Sequence, residues 1–186
     1  MQSAKKTSGK GQSEHAITLL MDDHQRVREL FAELKKLKRS SAAAGTDRQK
    51  AQLVAQVCQE LLVHAQLEEE VFYPAVRAAI DDQDLMDEAA VEHAGAKDLI
   101  GQLLQMAPGD DLYDAKVTVL CESVEHHIKE EEGSMFPQAS KAAGLDATLG
   151  EQLLQRKQEL LGELERPKAK PPASAKRSHG AHAAAH

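Results

Sequence analysis

Two short spacings in this sequence could do chemistry. His64 and Glu68 stand four residues apart, as do His127 and Glu131, and His24 and His93 each follow an acid, Asp23 and Glu92. Residues i and i+4 of an α-helix share one face. The apolar Val57, Leu61 and Val71 fall on the face of His64 and Glu68, so that pair is expected to point into a core. A buried ionised carboxylate without a partner is costly, and the remedies are protonation, a paired cation or a metal. Two such carboxylates among several imidazoles favour a metal. Mixed imidazole and carboxylate donors with open positions suit iron or manganese, whereas closed zinc sites prefer thiolate or four fixed ligands. No Ser/His/Asp arrangement, reactive-cysteine pattern or glycine-rich phosphate loop offers a competing chemistry.

The candidates recur in an internal repeat. At an offset of 63, VCQELLVHAQLEEEVFYP (57–74) lies over LCESVEHHIKEEEGSMFP (120–137), matching Cys58 to Cys121, His64 to His127, Glu68 to Glu131 and Pro74 to Pro137. Tyr73 and Phe136 precede the two prolines, and Glu69 falls on Glu132. Asp23-His24 matches Glu92-His93 at an offset of 69. The unit is a helix pair used twice. His126 forms an H-x-x-x-E of its own with Glu130, but the repeat puts Val63 opposite it, which favours His127 as the ligand. His126 stays open as a fifth ligand or as a donor behind the ligands. Glu69, Glu70, Glu130 and Glu132 read as charged surface, with a supporting role behind the ligands left open, Tyr73 and Phe136 as packing, and Cys58 and Cys121 as small buried hydrophobes rather than a redox pair.

Helices must position these groups. Ile17, Leu20, Val27, Leu30, Phe31, Leu34 and Leu37 recur at helical spacing from Ser13 to Lys38. A capping pattern at Thr46 and Gln49 starts a second helix running to about Tyr73, which Pro74 ends or kinks. A third is expected from Asp81–Asp84 to about Met106, and a fourth from the turn at Pro108-Gly109-Asp110-Asp111 to about Phe136. A shorter fifth ends near Glu165. Such helices joined by short loops predict an all-α fold, an antiparallel up-down-up-down four-helix bundle with a fifth C-terminal helix. At about 1.5 Å rise per residue, His24 and His64 come out level in their pair, and His93 and His127 level within a turn in theirs. Four imidazoles and two carboxylates are thus expected in one layer.

Composition supports the class. The 186 residues are 41% hydrophobic but only 3% aromatic, which suits a helical core better than a β-sandwich. The longest apolar stretch, Ile17 to Met21, is too short to span a bilayer. With two cysteines and no apolar leader after MQSAKKTSGKGQ, a cytoplasmic protein is expected. The net charge of −7 divides into +8 on residues 1–12 and 166–186 and −15 on residues 13–165. An acidic body poor in aromatics argues against specific nucleic-acid binding. The expected organisation is a disordered basic arm (1–12), a helical domain (13–165) and a disordered Ala/Pro/Lys/His-rich tail (166–186).

The motif His24, His64-x-x-x-Glu68, His93, His127-x-x-x-Glu131, with an aromatic-Pro after each H-x-x-x-E, resembles the hemerythrin-like, or HHE cation-binding, domain over roughly residues 14–140. The resemblance implies a non-heme di-iron centre inside the bundle. By that analogy His24 and His64 bind one iron, His93 and His127 the other, and Glu68 and Glu131 bridge them, with an oxo, hydroxo or water bridge completing the core. Oxygen-carrying hemerythrins use a further His one turn after the third-helix ligand, where this chain has Lys97. They also use an Asp five residues after the fourth-helix His, where Glu132 stands. Ferritin-like di-iron bundles need a Glu three residues before each ligand His, and Leu61, Ala90 and Val124 hold those places here.

The implied function is binding or sensing of O2, NO or reactive oxygen species, or iron handling. The alternative is a di-iron oxidoreductase consuming peroxide or nitric oxide. A third reading is a structural bundle with an incidental metal. The implied partner is a small diatomic or peroxide ligand, with no membrane.

Overall fold

The computed structural model describes residues 8–39, 46–142 and 148–165. Of the expected arm at 1–12, residues 1–7 lie outside the described residues and 8–12 are helical; the loops at 40–45 and 143–147 and the tail at 166–186 also lie outside them. The fold is all-α, with no strand among the described residues. Its first helix, α1, is Ser8–Arg39, beginning upstream of the expected Ser13. Next come α2 (Thr46–Leu67), the short α3 (Tyr73–Ala79) and α4 (Gln83–Leu103). The chain continues through α5 (Tyr113–Glu130), α6 (Phe136–Lys141) and α7 (Leu149–Glu165). No helix among the described residues is long and apolar enough to cross a membrane.

Local chemistry accounts for the boundaries. The Asp82 side chain accepts from Leu85 N–H and caps α4 within the expected polar break. Asp110 accepts from Ala107 N–H, closing the Pro108-Gly109 turn, where Gly109 takes a left-handed φ of 98°.

The two prolines act less simply than as helix stops. Each second helix passes through its proline by way of one π-helical turn, Glu68–Phe72 between α2 and α3 and Glu131–Met135 between α5 and α6. Proline cannot donate a backbone hydrogen bond, and its ring crowds the carbonyl four residues back. Widening the turn relieves that crowding. The N–H of Tyr73 then bonds to the carbonyl of Glu68, and that of Phe136 to the carbonyl of Glu131. Both helices therefore end beyond the expected Tyr73 and Phe136.

α1 packs on α2 and on α7, and α4 on α5. Two apolar clusters fill the interior. One gathers Ile17, Leu20, Leu67, Phe72, Met135 and Leu153. The other gathers Val27, Phe31, Leu61, Ile100, Leu120 and Ile128. His24 falls between Leu20 and Val27, and His64 between Leu61 and Leu67, so a polar layer separates the two cores. Burial of those cores, each apolar Å² stabilising by about 25 cal/mol, holds the layer's side chains out of water.

Candidate metal centre

The buried polar residues of the described chain are His24, His64, Glu68, His93, His127 and Glu131, all at 6% exposure or less. These are the six side chains singled out from the repeat. α1 supplies His24, α2 His64, α4 His93 and α5 His127, while each glutamate opens a π-helical turn.

They meet in two clusters. His24, His64, Glu68 and Glu131 form one, and Glu68, His93 and His127 the other, so Glu68 belongs to both. The Nε2 atoms of His24 and His64 lie 3.1 Å apart, and those of His93 and His127 3.0 Å. Glu68 sets Oε1 3.2 Å from His64 Nε2 and Oε2 3.3 Å from His93 Nε2. Oε2 of Glu131 lies 3.1 Å from His24 Nε2 and 3.5 Å from His127 Nε2.

Behind the imidazoles stands a ring of carboxylates. His24 Nδ1 is 3.0 Å from Glu132, His93 Nδ1 3.0 Å from Glu69 and His127 Nδ1 2.7 Å from Glu92. Asp23 stands 3.8 Å from His64 Nδ1. Cations hold three of the four: Arg28 grips Glu132 through two 2.9 Å bonds, Lys97 pairs with Glu69, and Lys157 of α7 pairs with Asp23. The pattern crosses the repeat. Each acid preceding a first-helix His backs the His of its own pair's second helix. The Glu that follows each bridging candidate backs the first-helix His of the other pair.

That ring decides what the inner atoms present. An ionised carboxylate only accepts, so the Nδ1 atoms of His24, His93 and His127 are the donors to it, and the Nε2 atoms are the ones that face inward. Glu68 Oε1 and Glu131 Oε2 are buried without a hydrogen-bond partner, although imidazole nitrogens approach them to 3.2 and 3.1 Å. Buried polar groups are seldom left so. Donor atoms around an octahedral ion with bonds of about 2.1 Å lie about 3.0 Å from one another, close to the separations observed. Imidazole nitrogens and carboxylate oxygens converging at this spacing fit a bound cation, and those atom types fit iron.

The site's own charges are strongly coupled. Burial pulls His64 toward its neutral form, but the carboxylates of Glu68, Asp23 and Glu131 outweigh it and push the imidazole up to about 10. His93 is likewise raised, burial being overcome by Glu68 and Glu69. Burial would protonate Glu68, yet His64 and His93 hold it well below the usual carboxylate range.

Residues 15–139 match the sequence profile of the Hemerythrin HHE cation binding domain. The chain belongs to the hemerythrin HHE cation-binding family. A DNA nickase from Nostoc sp. is 33% identical over 118 residues, 61% of this chain, which spans only 30% of that protein's length. The crystal structure of an HHE cation-binding-domain protein from Mycobacterium kansasii has a TM-score of 0.61 at 25% identity, covering 78% of this chain and 86% of that one.

Other HHE-domain residues stand around that layer. His126 points outward at 65% side-chain exposure, pairing with Glu130 at 3.2 Å, and stands apart from the inner layer. Glu69 and Glu132, at matched positions one residue after Glu68 and Glu131, lie against imidazoles in the supporting role left open for them. Glu70 stays outside, bonded to Arg156 and Gln66. Tyr73, expected to pack at the bundle end, sends its hydroxyl into the layer. It donates to Glu131 Oε1 at 2.8 Å and lies 3.4 Å from Glu68 Oε2. Burial and those two carboxylates hold its phenol well above its ordinary pKa. No spacing rule revealed it: residues five apart on a regular helix diverge by about 140°, and the π-helical turn brings Tyr73 back over Glu68.

Proposed function

We propose that this HHE-domain protein holds two non-heme iron ions, one at each cluster, and uses them to bind or sense O2, NO or reactive oxygen species or to handle iron. The supporting observation is that the four candidate imidazoles line one small cavity. Its volume is about 30 Å³, and Val27, Leu61, Ala96, Ile100, Val124 and Ile128 supply much of its apolar wall. A water needs at least about 10–15 Å³ measured this way, so the cavity has room for a small inorganic ligand such as a diatomic or peroxide. Lys97, standing where the oxygen carriers have their further His, also borders it.

The chain's residues divide the work. Glu68 spans both clusters, and Glu131 reaches from the His24 side toward His127. Glu132, Asp23, Glu69 and Glu92 orient the rings from behind, a role that sets ligand basicity. Leu61, Val124 and their neighbours exclude bulk water. Two bound irons would supply ferrous–ferric cycling and open positions for a small ligand. The body's −15 charge over residues 13–165 does not suit a polyanion, so the nicking activity of the Nostoc relative is not carried over.

Iron content and visible absorption of anaerobically purified protein, before and after air, test the reading. Two irons per chain and a new oxo-bridge charge-transfer band after air are the expected result. One iron or none refutes it. Peroxide or nitric oxide turnover that disappears in His64→Ala would favour the oxidoreductase reading over the binder.

A further inference from the structure

The internal repeat makes the two halves of the layer nearly equivalent, and one position breaks that equivalence. Tyr73 and Phe136 are repeat counterparts, each placed by its π-helical turn beside a first-helix imidazole. Phe136 stacks on His24 with ring centroids 5.6 Å apart and planes 9° from parallel, and it offers no donor atom. Tyr73 faces His93 at a centroid distance of 5.4 Å and adds a hydroxyl. That oxygen lies 3.2 Å from His93 Nε2, 3.3 Å from His127 Nε2 and 3.4 Å from Glu68 Oε2. These are the same separations that the histidine and carboxylate donors keep from one another.

Counting donors gives the asymmetry a chemical meaning. The His24–His64 cluster gathers two imidazoles with Glu68 and Glu131, whereas the His93–His127 cluster gathers two imidazoles with Glu68, Glu131 standing farther off at 3.5 Å from His127 Nε2 and accepting from Tyr73 at 2.8 Å. The Tyr73 oxygen stands within hydrogen-bonding reach of a donor atom from each of those three residues. It is buried, at 7% exposure for the residue. Among the described residues, the buried polar side chains are otherwise imidazoles and carboxylates.

We propose that the Tyr73 oxygen is a further protein ligand of the cation held by His93, His127 and Glu68, so that the two metal positions are chemically unequal. The proposal rests on the two-cation reading above. As the metal–oxygen bond forms, the phenol O–H bond breaks and its proton leaves to solvent; no electron moves. One position then has imidazole and carboxylate donors only, and the other carries a phenolate as well. A phenolate stabilises the higher charge state of its metal, so the position beside Tyr73 is the harder of the two to reduce.

The test uses the full chain loaded with ferrous iron and oxidised in air, with iron counted separately. Resonance Raman spectra excited in the visible should show tyrosinate ring modes, together with a phenolate-to-iron absorption band. Tyr73→Phe should lose both while keeping two irons per chain and its circular dichroism. Phe136→Tyr should strengthen them by offering a second phenol to the His24 side. Two irons per chain without tyrosinate modes in the wild-type protein would overturn this proposal alone, leaving the di-iron reading standing. Tyrosinate modes that persist in Tyr73→Phe would overturn it equally. Fewer than two irons would overturn the di-iron reading and this proposal with it.

Discussion

Removal of the shared carboxylate is the sharpest perturbation the structure offers. Glu68 is fully buried and gives one oxygen to each cluster, so Glu68→Ala strips both at once. The magnitude follows from linkage between binding and folding. With free cation about 100-fold above its dissociation constant, the native state gains about 2.7 kcal/mol per site. For a chain of this size each kcal/mol moves the thermal midpoint by about 2–4 °C, so one filled site raises it by about 5–11 °C. The assay is a thermal melt of loaded protein with and without chelator. Wild type should lose at least that much on chelation, whereas Glu68→Ala should lose almost nothing. Glu70→Ala is the matched control, since Glu70 lies outside and bonds to Arg156 and Gln66; it should behave as wild type. If Glu68→Ala keeps the wild-type chelator response and metal content, the two clusters are not joined metal sites and the reasoning fails.

Further outcomes follow from the same geometry. Loading the metal-free protein at neutral pH should release protons: His64 and His93 sit above the ordinary 6.5, and a cation needs their neutral rings. Calorimetry in buffers of different ionisation enthalpy reads this, and an enthalpy independent of buffer would refute it. The same raised values favour folding of the metal-free protein below about pH 6.5, and that contribution fades as pH rises toward the folded value. Glu92→Ala, which removes the partner of His127 Nδ1, should weaken metal binding by about 10–100-fold, measured by competition with a chelator. Cys58 and Cys121 are pushed up to about 11 and about 12, chiefly by burial, so alkylation at pH 8 should be slow in the native protein and fast in urea. Their contribution to stability should fall above pH 9, where the unfolded thiols ionise first; a native thiol titrating near 8 would refute the burial argument.

Much of this molecule could be read in one dimension. Hydrophobic spacing, Thr46 with Gln49 and the Pro108-Gly109 turn marked helices because helix formation is governed by neighbours within about one turn. The i, i+4 rule put Glu68 on the face of His64 and Glu131 on that of His127, and the repeat named the remaining imidazoles. These signals are local, or are local patterns used twice, which is why all six inner residues could be listed before any distance was known.

Tertiary structure decided what lies between the helices. Which carboxylate backs which imidazole depends on inter-helix approach: Glu132 meets His24 across 108 positions of sequence, and no periodicity encodes such a pairing. Lys157 reaching Asp23 requires α7 to lie on α1. Tyr73 depends on a single widened turn. Pro74 announced a disturbance of the helix but not its form, and it is the widened turn that carries the phenol inward. Residue type and spacing thus determined the donors, whereas the orientation of each donor and of its supporting partner came from helices closing around a buried polar layer.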